Sequence, residues 1–198
     1  MEEHSVFHVI EKLKHLRKGG IDMTYRDELI KAMSMLAEHP QTVFLGQAVR
    51  STGTAIYHTI KHLPENKRIE LPVTEEMQLG ISTGLALKGF IPVSIYPRWD
   101  FLILATNQIV NHLDKFEEMS DGQFKPKVII RTCVGSTNPL MPGPQHSNDY
   151  TKDFESMCRY INVHKIVNLH DIIPSYKRAL ESSRSSIVVE IADIYNTE

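Results

Sequence analysis

Two adjacent carboxylates, Glu75 and Glu76, open a helix-like segment directly after the strand-like run RIELPV (68–73). A carboxyl group at such a junction can move protons when burial raises its pKa. A solvated one is simply a helix-start acid favoured by the helix dipole, with Thr74 as its cap. Trp99 and Phe101 follow the run IPVSIY (91–96); each can pack on a flat ligand and exclude water, or else join the core. Arg98 and Asp100, on either side of Trp99, read as solvated loop charges. His146 sits in the loop GPQHS (143–147), where an imidazole can donate a hydrogen bond to a developing oxyanion. His58 and His62 stand one helical turn apart and could share a metal, but no third ligand is evident, so a surface helix is expected. Cys133 and Cys158 lack CxxC or Cys/His ligand spacing and read as reduced core cysteines.

The elements that must position these side chains alternate along the chain. Short apolar runs at 42–46, 68–73, 91–96, 127–134, 163–167 and 186–191 read as strands. Helix-length stretches at 24–38, 54–62, 75–88, 99–119, 150–160 and 170–182 separate them. Strands apolar on both faces, alternating with helices, imply a parallel sheet covered on both sides: a three-layer, doubly wound, mostly parallel α/β domain. Ligands in such sheets bind beyond the carboxyl ends of strands. That rule selects Gly46–Gln47, Thr74–Glu75, Tyr96–Phe101 and the Gly/Pro-rich loop Gly135–Ser147.

At 198 residues and 41% hydrophobic content, the chain suits one large domain, expected over residues 23–198. Residues 1–22 read as an amphipathic helical extension, with Val6, Ile10, Leu13 and Leu16 at helical spacing and Gly19–Gly20 at its end. Lys plus Arg 22 against Asp plus Glu 24 leaves a formal charge of -2, which disfavours nucleic acid as a partner. No apolar run reaches the roughly 20 residues of a spanning helix, and the start of the chain is charged throughout, so no membrane partner and a cytoplasmic location are expected.

Read together, TYRDEL (24–29), FLG (44–46), RIELPVTEEMQLGISTGLALKGFIPVSIYPRWDF (68–101), QIVNHLDKFEEMSDGQ (108–123) and GPQHS (143–147) resemble one family, the β subunit of 2-oxo acid dehydrogenases. The resemblance runs in order from about Met23 to Tyr195. It implies the transketolase-like pyrimidine-binding domain of a thiamine-diphosphate enzyme, with the family's C-terminal domain absent. The diphosphate-binding domains of such enzymes carry a GDG motif followed by Asn, which hold the bridging magnesium. No GDG occurs here. The resemblance therefore implies a GDG-bearing partner subunit that holds Mg2+, in a heterotetramer acting on a 2-oxo acid or ketose.

Thiamine catalysis needs a carboxyl group bonded to the pyrimidine ring, so that the cofactor's own exocyclic nitrogen can act as base. In the family this is the Glu that ends a Pro, Ile or Val, Ser or Thr, Glu segment, and PVTE (72–75) places Glu75 there. Glu76 falls where the family has an apolar residue and is expected to be a solvated helix acid. By the same resemblance Phe101 packs on the aminopyrimidine, with Trp99 as a second aromatic contact, and His146 faces the reacting carbon. Gln47 replaces the Glu of the family's GED, so it can keep hydrogen bonds near the cofactor but supplies no charge. Ile95 stands where the family has an acid, and STNPLMP (136–142) is unlike the usual glycine-rich loop. These departures leave two other readings open: a decarboxylase or carboligase subunit with no lipoyl step, and a non-catalytic assembly or regulatory subunit.

Overall fold

The computed structural model describes residues 23–135 and 141–195. The extension expected over 1–22, and residues 136–140 of the Gly/Pro-rich loop, lie outside the described residues. Helix α1 (Tyr25–Glu38) starts where the sequence predicts, because Thr24 and Asp27 form a reciprocal capping box. Six parallel strands follow: β1 (Thr42–Gly46), β2 (Arg68–Glu70), β3 (Ile91–Ile95), β4 (Ile129–Val134), β5 (Asn162–Lys165) and β6 (Ser186–Ile191). They form one sheet in the order β2-β1-β3-β4-β6-β5. Between them lie α2 (Tyr57–Ile60), α3 (Glu75–Leu87), α4 (Trp99–Leu102), α5 (Phe116–Met119), α6 (Thr151–Met157) and α7 (Ile172–Glu181).

The two faces of the sheet build separate cores, as alternation along a pleated strand requires. Leu29, Met33, Leu36, Phe44, Ile129 and Val188 belong to one cluster, on the side of α1 and α7. Leu79, Trp99, Ile109, Ile130, Phe154 and Val189 belong to the other. The three-layer α/β architecture expected from the sequence is therefore the observed one. Each fully buried aliphatic or aromatic side chain contributes roughly 1.5–3 kcal/mol.

Three local differences from expectation have physical causes. Strand β2 stops at Glu70 rather than 73, because Pro72 has no N–H for the ladder. The helix expected over 99–119 is broken: after α4 come a 3-10 turn, the π-helix Gln108–His112 and a second 3-10 turn before α5. The buried Asp114 just beyond the π-turn accepts backbone N–H groups from Arg159, Tyr160 and Ile161 at 3.1, 2.7 and 3.0 Å. Third, His62 is not on an exposed helix face. It lies 2.8 Å from Ser34 Oγ, and burial together with the Arg68 charge lowers its pKa to about 4.

One ion pair crosses the middle of the sheet. Arg131 on β4 donates from Nε and Nη2 to Glu190 on β6 at 2.7 and 2.9 Å, with both side chains fully buried. The hydroxyls of Tyr176 and Tyr195 also donate to Glu190. Burial and the Glu190 charge push both phenols well above their ordinary range. Burial acts to lower the Arg131 pKa, but Glu190 together with Tyr176 and Tyr195 raises it well above the ordinary value, so it stays charged.

Candidate functional site

Strands β1 and β3 are neighbours whose following chains diverge, one toward β2 and the other toward β4. This is the topological switch point, where such sheets bind ligands. The turn after β1 depends on glycine: Gly46 has φ of +142°, and a Cβ there would stand 2.3 Å from the Ile95 carbonyl oxygen. Beyond it, Glu70 gathers the loop. Its carboxylate accepts the N–H groups of Ala48, Arg50 and Ser51 at 2.8, 2.5 and 3.3 Å. Sequence reasoning missed Glu70, since nothing local distinguishes it from a strand-end acid.

The loop held in this way presents Gln47 to Glu75. Gln47 Nε2 donates to Glu75 Oε1 at 2.8 Å, and Glu75 is 5% exposed on the first turn of α3. Among the described residues the second carboxylate oxygen, Oε2, has no hydrogen-bond partner. Thr74 does not cap the helix with its side chain; its hydroxyl turns back to the Pro72 carbonyl at 3.3 Å. The helix is instead locked to β3 by Gln78, whose amide donates to Ile95 O at 2.9 Å and Ser94 Oγ at 3.1 Å. Tyr96 OH donates to the Glu75 backbone carbonyl at 3.1 Å, and burial with the nearby Glu75 charge pushes that phenol up. Glu76 is exposed and, among the described residues, meets the Gln108 amide alone at 3.3 Å.

After β3 and β4 lies a cleft of about 360 Å³, lined by Thr54, Ile56, Pro97, Arg98, Phe101 and Cys133 among others. Phe101, part of that lining, meets the His146 ring edge to face, with ring centroids 5.4 Å apart. Among the described residues the His146 imidazole makes no hydrogen bond. Cys133 donates to the Pro97 carbonyl at 2.8 Å, and burial with Glu190 nearby pushes its thiol up to about 12, so it is an inert wall. Both cysteines are free thiols, though Cys158 is only half-buried.

The structure thus brings the predicted residues together as two pairs, Gln47 with Glu75 and Phe101 with His146; Glu75 does not line the cleft itself. Trp99 is a correction. It was expected as a second aromatic contact for a ligand, but it is fully buried against Phe154, with ring centroids 4.9 Å apart, because the first turn of α4 aims it into the core. Arg98 and Asp100 are corrections too. Arg98 donates to the carbonyls of Gly135 and His146, and Asp100 accepts from Asn148 Nδ2 at 2.6 Å.

The three-layer α/β unit with its parallel sheet has the fold seen in solved transketolase structures. The chain superposes on a solved split gene transketolase, an inactive beta4 tetramer, with TM-score 0.65 at 16% identity, covering 86% of this chain and 52% of that one. In sequence it is homologous to β subunits of pyruvate dehydrogenase E1 components, which confirms the resemblance read from its motifs. It is 32% identical over 146 residues to chloroplastic subunit beta-3 of Oryza sativa subsp. japonica, 71% of this chain and 37% of that protein. It is 26% identical over 190 residues to the mitochondrial β subunit of Ascaris suum, 93% of this chain and 52% of that protein. The chain spans about half or less of the length of these curated relatives. No family model matches it.

Proposed function

We propose that this chain is the pyrimidine-binding subunit of a split thiamine-diphosphate enzyme acting on a 2-oxo acid or ketose, completed by a GDG-bearing chain that holds the diphosphate and Mg2+. The observation that carries this reading is Glu75. It is a buried carboxylate on the first turn of α3, with Oε1 fixed by Gln47 and Oε2 left without a partner among the described residues. Such an oxygen fits the ring nitrogen of an aminopyrimidine, and the apolar ring of Phe101 at the cleft fits its flat face.

The bound cofactor supplies a carbon nucleophile and an electron sink. Glu75 Oε2 would hold the ring nitrogen of the aminopyrimidine and could pass a proton to it, while the Gln47 amide fixes the plane of the carboxylate. Because Gln47 is neutral, it donates to Glu75 without placing a second negative charge beside it. Phe101 would exclude water, and the His146 imidazole could donate a hydrogen bond to an oxygen on which charge develops.

Two further observations favour a partner. The named relatives are β subunits of E1 components, and a structural neighbour is a split gene product. On the helix that carries Glu75, Met77 and Ile81 are exposed, and so are Val73 before it and Leu104 beyond it, an apolar surface suited to cover by another chain. Mixing the chain with a GDG-bearing chain and titrating thiamine diphosphate with Mg2+ by calorimetry tests the reading. Saturable binding by the pair and by neither chain alone is expected. A pair that binds no cofactor overturns it.

A further inference from the structure

We propose that Arg98 and Asp100 are positioning residues that fix His146 against Phe101, so that the segment 98–101 carries both an aromatic wall of the cleft and the clamp for the histidine that meets it. The inference rests on the assignment of His146 to the reacting site and deepens it. Three consecutive contacts run from one turn of helix to one loop. Arg98 Nη1 donates to the carbonyl of His146 at 2.7 Å, and also to that of Gly135 at the end of β4. Asp100 Oδ1 accepts from Asn148 Nδ2 at 2.6 Å, and the same amide donates to the Pro144 carbonyl at 2.9 Å. Phe101 then meets the imidazole edge to face at 5.4 Å.

The clamp therefore grips the backbone at His146 directly and at Pro144 through the Asn148 side chain. Since the imidazole has no hydrogen bond of its own among the described residues, its direction is set by this backbone anchorage and by the Phe101 ring. Charge-assisted bonds from a planar guanidinium hold two carbonyls at once, which an ammonium on a flexible stem does less well. Loop residues placed within fractions of an ångström by such contacts decide whether an acid or base is productive.

The test is made on the full chain alone, without cofactor or partner, by NMR of ring-labelled histidine, with H146N to assign the signal. R98M and D100A are each expected to move the His146 ring signal toward the position of free histidine, as the ring-current contribution of Phe101 is lost. D100N, which keeps a carbonyl oxygen for Asn148, is expected to restore the wild-type position. Thermal melts of D100A and D100N should coincide, which separates positioning from general stability. An unchanged His146 signal in both R98M and D100A overturns the proposal. Failure of D100N to restore the signal also overturns it, as does loss of the fold in both R98M and D100A. Failure of this readout leaves cofactor binding by the pair untouched, and failure of cofactor binding leaves the NMR result standing.

Discussion

Glu190 and Glu75 are both buried carboxylates, yet their surroundings are opposite. Glu190 receives two bonds from Arg131 and one each from Tyr176 and Tyr195, so its acceptor sites are filled inside the sheet. Glu75 receives one amide N–H and leaves Oε2 without a partner among the described residues, at the edge where sheets of this kind bind ligands. A buried charge that is fully satisfied by its own chain is committed to structure, whereas one left half satisfied is available to a ligand. Asp114, with three backbone donors and Lys115, belongs with Glu190.

The comparison is most severely tested by breaking the saturated site. E190Q should destabilise the chain by about 3–5 kcal/mol in urea unfolding, because Arg131 is left as an uncompensated buried charge. A loss below about 1 kcal/mol would erase the distinction. Y195F removes one donor to a charged acceptor and should cost about 1.5–3 kcal/mol by the same measurement.

A smaller, pH-dependent effect comes from His62, which burial keeps neutral. Its folded pKa, about 4, lies below the ordinary value of 6.5, so the unfolded chain binds more protons between those pH values. Stability should therefore fall as pH drops from about 6.5 to about 4, and H62Q should flatten that slope in thermal melts. The smallest change is expected at the half-satisfied site. E75Q keeps an acceptor for Gln47 and should shift stability by no more than about 1 kcal/mol. A loss as large as that of E190Q would make Glu75 structural.

Much of the fold was legible in the sequence because its strands are continuous apolar runs and α1 begins with a capping box. Glu75 was legible for a similar reason, since a strand-to-helix junction fixes where its side chain stands whatever its chemistry. What escaped was set by contacts distant in sequence. Glu70 holds a loop some twenty residues before it, and Arg98 reaches a carbonyl at 146. Trp99 and Phe101, two residues apart on one short helix, point to different places, one into the core and one to the cleft. Local pattern does not report that choice, because it depends on the angle at which a four-residue helix leaves its strand.

The most direct test of Glu75 is deuterium exchange at the thiazolium carbon of thiamine diphosphate, measured with the chain mixed with the proposed diphosphate-binding chain. E75Q should slow that exchange by about 100-fold or more while the variant still folds. Exchange at the wild-type rate in E75Q would contradict the assignment of the half-satisfied carboxylate to cofactor activation.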